Sequence, residues 1–234
     1  MSSISRNLQA VNERIAAMAR AVSRHADEVR LLAVSKTFGA DAVIEAADAG
    51  QHAFGENYLQ EALDKMDAVK AKRPELLLEW HFIGPIQSNK TRPIAEHFDW
   101  VHSVDREKIA QRLSDQRPAH LPPLNICLQV NISGEATKSG VSPSDLVDIA
   151  QRIAALPRLR LRGLMAIPEP AADSHAQREP HRQLRILRDS LRARGMDLDT
   201  LSMGMSSDLD AAIAEGATIV RIGTAIFGQR DYAK

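Results

Sequence analysis

Cysteine is almost missing from this chain of 234 residues, since Cys127 is its only one. A single thiol excludes an internal disulfide and any metal site built from several cysteines. Such sparing use of cysteine is typical of proteins from a reducing compartment. Cys127 lies in the apolar run at residues 124–130, so we expect it to be a buried packing residue.

An excess of charge and a long apolar run are missing as well. Lysine and arginine together number 30, as do aspartate and glutamate, so no overall field attracts nucleic acid or an anionic membrane. No stretch approaches the length that spans a bilayer, and the amino terminus lacks the continuous apolar segment of a signal peptide. We therefore expect a cytoplasmic protein with no nucleic-acid or membrane partner.

The chain does contain a repeated alternation of strand and helix patterns. Apolar residues between Ile4 and Val22 recur every three or four positions, which predicts an amphipathic helix that covers the closed end or the side of the fold. Eight short runs with the composition of strands follow, at residues 29–35, 52–55, 79–84, 100–104, 124–131, 160–167, 200–203 and 218–223. Helical patterns lie behind the first seven of them, at residues 41–50, 56–72, 88–97, 105–116, 144–155, 175–194 and 207–215.

Strand–helix units joined by short connections predict a parallel sheet, and eight is the number at which such a sheet closes as a TIM barrel. The competing architecture is an open doubly wound sheet, but no Gly-x-Gly-x-x-Gly motif follows the first strand. No linker and no shift in composition marks a second domain. We predict an α/β fold with one domain over residues 1–234, a single (β/α)8 TIM barrel with an extra N-terminal helix.

The first predicted strand ends at Lys36, and α/β barrels carry their chemistry at the carboxyl ends of their strands. A lysine amine can form an imine with an aldehyde when burial or a neighbouring charge lowers its pKa. The ordinary alternative is a solvated surface lysine. The loops after the last two strands provide the observations that favour the first interpretation.

Those two loops have the composition of a phosphate site. Ser206 and Ser207 follow the seventh predicted strand, and Gly223 and Thr224 follow the eighth. The corresponding loops of TIM barrels often bind phosphate through main-chain N–H groups and hydroxyls. Helix capping alone explains one such loop, but it explains the pair less well.

Strands one and eight are neighbours in a closed barrel, which places Lys36 beside Arg221 and near the phosphate loops. An amine that forms imines, a fixed cation and an anion site suit a ligand with an aldehyde at one end and a phosphate at the other. Pyridoxal 5′-phosphate (PLP) has that shape. A class I aldolase-type barrel, in which Lys36 binds a phosphorylated sugar without a cofactor, is a further alternative that a colourless protein would favour.

Six segments carry a family resemblance, at residues 33–37, 54–58, 80–90, 138–140, 201–208 and 220–228. They resemble the pyridoxal phosphate homeostasis proteins, single-domain PLP binders similar to the N-terminal barrel of bacterial alanine racemase, and the match runs from about residue 31 to 228. The resemblance implies that Lys36 is the Schiff-base lysine and that Arg221 faces the pyridine nitrogen. It also implies that the phosphate is held by Ser206, Gly223 and Thr224, with Asn57 near the cofactor.

Arg221 also bears on the kind of function. Arginine only donates hydrogen bonds, so a ring nitrogen facing it stays an unprotonated acceptor, and such a ring stabilises a carbanion weakly. The resemblance implies that alanine racemase compensates with a second domain and a second subunit that supply a tyrosine. This chain ends at Lys234, and its only tyrosines are Tyr58 and Tyr232. We expect a monomeric, non-catalytic PLP carrier that serves vitamin B6 homeostasis and hands the cofactor to PLP-dependent apo-enzymes; the alternative is an amino-acid racemase of weak activity.

The remaining candidates are weaker. His81 begins an apolar strand and is expected to be a hydrogen-bonded core residue, and Tyr58 a helix residue packing at the rim. The spacing of His175, Glu179 and His181 misses the helical pair of metal ligands, so no metal is expected there. We also expect a solvated basic face on the helix at residues 175–194. Lys90 and Lys138 lie in strand-end loops and could take the aldehyde during transfer, with ordinary surface charge as the alternative. Arg158 and Arg160 are expected at the amino-terminal mouth of the barrel.

Overall fold

The computed structural model describes residues 2–134, 139–171 and 173–229. Within these ranges eight parallel strands hydrogen-bond in sequence order, and the last pairs with the first to close a barrel. The predicted (β/α)8 TIM barrel is therefore confirmed. The strands are β1 (Arg30–Val34), β2 (Ala53–Glu56), β3 (Glu79–Phe82), β4 (Trp100–Val104), β5 (Leu124–Gln129), β6 (Leu159–Met165), β7 (Thr200–Ser202) and β8 (Ile219–Ile222).

The helices alternate with the strands as predicted, with ends that shift by a few residues. They are α1 (Ser3–Ala21), α2 (Ala40–Asp48), α3 (Leu59–Lys72), α4 (Thr91–His97), α5 (Glu107–Gln116), α6 (Leu146–Ala154), α7 (Ser174–Ala193), α8 (Leu209–Ala214) and α9 (Thr224–Phe227). Two 3₁₀ turns, Ala26–Glu28 and Ser88–Lys90, precede β1 and α4.

The predicted start of the third helix at residue 56 is wrong. Glu56 ends β2, where it pairs with Phe82 of β3, and α3 begins at Leu59. The strand continues through Glu56 because its carboxylate is buried inside the fold and bonded to Lys65 of α3. A sequence pattern places a glutamate at a helix start by its charge, but here a tertiary partner decides its position.

The core has two layers, as expected for a barrel with an outer ring of helices. The larger layer lies between the strands and the helices. The smaller one fills the inside of the barrel and consists of Leu32, Ala53, Trp100, Cys127, Met165 and Ile219. Cys127 is fully buried there, which confirms its predicted packing role, and burial raises the pKa of its thiol to about 12.

The N-terminal helix α1 lies against the side of the barrel, in contact with α2, α8 and α9. Its buried face consists of Ile4, Leu8, Val11, Ile15 and Ala19, which include most of the predicted apolar stripe. Asn7 Nδ2 donates to the carbonyl of Ile226 at 3.0 Å, which ties α1 to α9. The prediction that Val22 continues the stripe is wrong, because Val22 follows the last helical residue and is exposed.

The two arginines predicted at the amino-terminal mouth lie there. Arg158 directly precedes β6, with a positive φ of 61°, and donates from Nε to the carbonyl of Ser114 at 2.9 Å. Arg160, the second residue of β6, is exposed.

None of the helices in the described ranges has both the length and the apolar character needed to cross a membrane.

Candidate functional site

A cavity of about 310 Å³ opens at the carboxyl ends of the strands. Its polar lining comes from all six residues that the sequence proposed as cofactor ligands, together with one more serine: Lys36, Asn57, Ser206, Ser207, Arg221, Gly223 and Thr224. Its apolar lining is formed by Val34, Phe38, Ile83, Ile167 and Met205. The structure thus brings an amine, a guanidinium and several hydroxyls to one small space.

The main chain on both sides of Lys36 is held by two side chains of α3. The carbonyl of Ser35 accepts from Lys65 Nζ at 2.8 Å, and the N–H of Thr37 donates to Glu61 Oε1 at 2.6 Å. Thr37 has a φ of 70°, a left-handed conformation that is costly for a β-branched residue. These bonds compensate for the strained turn that directs the chain away from β1 immediately after Lys36.

The same side chains form a buried ionic cluster behind Lys36. Lys65 Nζ lies 2.6 Å from Glu56 Oε1 and 3.0 Å from Glu61 Oε1, and Ser35 Oγ donates to Glu56 Oε1 at 2.6 Å. Burial raises the pKa of Glu56, although the charge and hydrogen bonds of Lys65 and Ser35 oppose this. Sequence reasoning missed this cluster. The one available signal was the i,i+4 pair of Glu61 and Lys65, which on most helices lies in solvent.

The loop between β7 and α8 is shaped by Asp208 and a close-packed glycine. Asp208 Oδ1 accepts from the N–H of Met205 at 2.6 Å, and Asp208 Oδ2 lies 2.9 Å from His181 Nε2 of α7. Gly204 has a φ of 95°, and a Cβ there would lie 2.5 Å from the Cβ of Ala212. The bonds of Asp208 and the close packing of Gly204 therefore hold the loop in place, and Ser206 lines the cavity.

The loop after β8 approaches β1 closely. A Cβ on Gly223 would lie 3.0 Å from the carbonyl oxygen of Val34, so a larger residue would push the two strand ends apart. Gly223 and Thr224 line the same cavity as Ser206 and Lys36. This close approach places the two loops and the lysine around one space, as the closed barrel predicted.

Arg221 is buried and forms hydrogen bonds within the barrel. Its Nη1 donates to Ser202 Oγ at 2.7 Å, and its Nη2 donates to the carbonyl of Ala166 at 2.9 Å. Burial lowers the pKa of Arg221 to about 10, opposed by the charge of Asp208, so the guanidinium remains a cation at neutral pH. The remaining N–H groups make Arg221 a fixed donor in the cavity wall.

Asn57 supplies an independent sign that the cavity binds a ligand. Its Oδ1 atom is buried, and no atom of the described residues donates a hydrogen bond to it. A buried acceptor without a donor costs free energy, so such atoms commonly mark a site that a ligand completes. Asn57 lines the same cavity as Lys36 and Arg221.

Other candidates lie away from the cavity. His81 is fully buried and hydrogen-bonded to Glu79 and His102, which confirms its expected place in the core. Tyr58 precedes α3 and has 52% of its surface exposed, while Lys90 is exposed in the turn before α4. Lys138 and Tyr232 lie outside the described residues.

The basic helix α7 is only partly a solvated face. Arg178 and Arg185 both pair with Glu215, a buried carboxylate directly after α8, at 2.5 and 2.9 Å. They therefore join two helices as well as facing solvent. Over the described part of the chain, histidine, cysteine and acidic side chains form no group of three that could hold a metal ion.

Fold and cavity together define a class: a barrel whose first strand carries a lysine and whose last two strands carry hydroxyls, a glycine and a buried arginine around one space. The chain matches the family model described as "Alanine racemase, N-terminal domain" over residues 7–231. It is 63% identical over 232 residues to the pyridoxal phosphate homeostasis protein of Pseudomonas aeruginosa, which covers 99% of this chain and 98% of that protein. It is 55% identical to the protein of the same name from Escherichia coli, with 100% of both chains covered.

A solved structure of PipY from Synechococcus elongatus with PLP bound is also similar. It has 38% sequence identity and a TM-score of 0.77, covering 92% of this chain and 100% of that one. The chain belongs to the pyridoxal phosphate homeostasis protein family, as the sequence motifs predicted.

Proposed function

We propose that this protein binds PLP through the amine of Lys36 and serves intracellular PLP homeostasis. The observation that carries the proposal is the position of Lys36 in the same 310 Å³ cavity as Ser206, Gly223 and Thr224. An amine and a phosphate site in one cavity suit a molecule with an aldehyde and a phosphate. Family membership and the PLP-bound relative support the same assignment.

Each of the six predicted cofactor ligands has a place in this proposal. PLP supplies an aldehyde that condenses with the Lys36 amine and releases water. The hydroxyls of Ser206 and Thr224 and the main chain at Gly223 bind the phosphate. Arg221 donates to the ring nitrogen and holds it unprotonated. Asn57 offers its unpaired oxygen to a donor of the ring, which satisfies a buried acceptor.

We propose holding and release of the cofactor rather than efficient catalysis. Among the described residues, the ionisable side chains lining the cavity are those of Lys36 and Arg221. Lys36 is occupied when it holds the cofactor, and arginine does not exchange protons near neutral pH. A reaction at the α-carbon of an amino acid needs a group that moves a proton there, and the described lining offers none besides the lysine itself.

A mass measurement tests the covalent attachment. The protein is incubated with PLP and reduced with borohydride, and its intact mass and peptide masses are measured. We expect one adduct, on the peptide that carries Lys36, and a yellow protein before reduction. Lys36→Ala should lose the adduct, whereas Lys90→Ala, which changes an exposed lysine away from the cavity, should keep it. An adduct only on another lysine would overturn the proposal.

The second candidate is an amino-acid racemase of weak activity, which the match to the alanine racemase N-terminal domain favours. The purified, PLP-loaded protein is incubated with each L-amino acid, and the D-isomer is followed. Robust formation of the D-isomer that is lost in Lys36→Ala would overturn the carrier proposal in favour of a racemase.

We further propose that the protein is a single-domain monomer in the cytoplasm that passes PLP to apo-enzymes. Light scattering should then give the mass of one chain, 25.7 kDa, with or without PLP. Mixing the loaded protein with a PLP-dependent apo-enzyme should restore that enzyme's activity, while borohydride-reduced protein should not. A mass of two chains would contradict the monomer.

A further inference from the structure

A continuous line of hydrogen bonds crosses the inside of the barrel from Arg221, in the cavity wall, to Glu79 at the first position of β3. Arg221 Nη1 donates to Ser202 Oγ at 2.7 Å, and Ser202 Oγ lies 2.7 Å from His102 Nδ1. His102 Nε2 lies 2.9 Å from His81 Nδ1, and His81 Nε2 lies 2.5 Å from Glu79 Oε1. Of these five residues only Arg221 lines the proposed cofactor cavity, so the other four would not touch a ligand bound there.

The two ends of this line set the direction of every proton in it. The Arg221 guanidinium has only donors, and an ionised Glu79 carboxylate has only acceptors. Ser202 therefore accepts from Arg221 and donates its own proton to His102 Nδ1. Each imidazole must then carry its proton on Nε2. The reverse order would place the lone pair of His81 Nε2 against the carboxylate of Glu79, with two acceptors facing each other.

Burial and charge keep these groups in the required states. Both imidazoles are fully buried, and burial lowers the pKa of His81 and lowers that of His102 well below its usual range. The positive charges of Arg221 from β8 and Arg30 from β1 lower the pKa of His102 further. Both rings are therefore neutral at neutral pH.

Glu79 is ionised at neutral pH for a related reason. Burial alone would raise its pKa, but the hydrogen bond to His81 and the Arg30 guanidinium, 2.8 Å away, together lower it to about 2. The ring of Trp100 stacks on His81 with centroids 5.4 Å apart, which keeps the middle of the line packed.

We infer that Arg221 is held in place by a one-way line of positioning residues, formed by Ser202, His102, His81 and Glu79. None of the described hydrogen bonds of Arg221 goes to a carboxylate. The Glu79 carboxylate instead polarises the buried guanidinium from a distance, through the neutral side chains of Ser202, His102 and His81. Each bond orients the next, and the guanidinium faces the cavity in one orientation. This inference rests on the proposed PLP site, where Arg221 is the partner of the ring nitrogen.

The first experiment needs no cofactor. Nitrogen NMR of isotope-labelled histidine rings in the unloaded protein reports which ring nitrogen carries the proton. We expect neutral rings protonated on Nε2 for both His81 and His102. Glu79→Gln introduces an amide that both donates and accepts, so the direction is no longer set and both tautomers of His81 should appear. Rings protonated on Nδ1, or imidazolium rings, in the unchanged protein would overturn the inference.

The second experiment connects the line to the cavity. Ser202→Ala removes the bond next to Arg221, and we expect PLP to dissociate at least about tenfold faster, as for one lost hydrogen bond to a charged group. The absorbance of bound PLP should shift as well. Ser114→Ala is the matched control, because Ser114 is an equally buried serine of α5 whose hydroxyl bonds to the carbonyl of Pro157.

The two experiments separate this inference from the proposed function. Unchanged dissociation and absorbance in Ser202→Ala would overturn the positioning role while PLP binding stands. If the unchanged protein does not bind PLP, the proposed function fails, and the positioning role in that site fails with it. The NMR result then still decides whether the one-way line exists.

Discussion

At the scale of single residues, the proposed function makes Arg221 the partner of the PLP ring nitrogen. Replacing it with an acid should favour a protonated ring nitrogen, because a carboxylate accepts the proton that arginine cannot. For Arg221→Glu we expect a shifted absorbance spectrum of bound PLP, with the borohydride-trapped adduct on Lys36 retained. The measurement is the absorbance spectrum before and after reduction.

Arg192→Glu provides the control for this change, since Arg192 is exposed in the last turn of α7. Circular dichroism of both variants checks that the buried replacement leaves the barrel folded. If Arg221→Glu folds and binds PLP with an unchanged spectrum, Arg221 does not contact the ring nitrogen.

His102 makes stability depend on pH at the same scale. Burial holds its pKa in the folded protein well below its usual range. In the unfolded chain the ring takes up a proton below about pH 6.5, so its contribution to folding is complete above that pH and is lost as the pH falls. Between pH 7 and pH 5 this single group should lower the free energy of unfolding by about 2 kcal/mol.

Urea denaturation at both pH values, with the unchanged protein and His102→Gln, measures this effect. The variant has lost a hydrogen-bonded core group and is less stable at pH 7, but its stability should fall less on acidification. An equal fall in both proteins would mean that His102 takes up a proton inside the barrel.

At the scale of elements, β2 and α3 form the support for the Lys36 turn through one buried ionic cluster. Lys65 of α3 is 4% exposed and Glu56 of β2 is fully buried. Removing one partner of such a pair leaves a buried charge unpaired, which commonly costs about 3–5 kcal/mol. We therefore expect Lys65→Met to lower the free energy of unfolding by that amount and to slow PLP attachment at Lys36.

The same helix offers a matched control. Lys72 of α3 pairs with Asp41 at 2.6 Å, but both side chains are more than half exposed. Solvent screens such a pair, so Lys72→Met should cost less than about 1 kcal/mol. Equal losses of stability for the two variants, measured by urea denaturation, would contradict a structural role for the buried cluster.

At the scale of the whole molecule, the cavity lies where the barrel closes. Its lining comes from both ends of the sequence, with Lys36 after β1 and Gly223 after β8. A ligand that binds only the folded barrel stabilises it, and PLP at a hundred times its Kd should raise the free energy of unfolding by about 2.7 kcal/mol.

Thermal or urea unfolding with and without PLP measures this gain. Lys36→Ala should gain much less at the same PLP concentration, because it retains the phosphate loops but lacks the amine. Lys90→Ala should gain as much as the unchanged protein. A full gain in Lys36→Ala would mean that the lysine does not contribute to binding.

Much of this architecture was accessible from the sequence because it follows local and repeating rules. Short apolar runs with the composition of strands predicted the eight strands, and a 3.6-residue period predicted the α1 face that includes Leu8. Lys36, Ser206 and Gly223 could be placed together because a closed parallel barrel brings the carboxyl ends of its strands to one end. Short motifs then indicated the family.

The missed features all depend on pairs that meet only when strands and helices pack in the folded chain. Glu56 was expected to start a helix, and its partner Lys65 resembled an ordinary surface lysine. His81 was expected in the core, but its link to His102 and on to Arg221 runs through strands whose order around the barrel must be known first. His181 and Asp208 likewise meet between α7 and the β7 loop.

The sequence by itself determined the barrel, the order of its strands and the meeting of Lys36 with the loops of Ser206 and Gly223, because these depend on local periodicity and on a topology with one common way of closing. The tertiary structure alone decided which polar groups are buried together, and therefore their charge states and the direction of their hydrogen bonds. The physical reason is that desolvation and hydrogen-bond geometry depend on neighbours in space, and a linear pattern does not specify those neighbours.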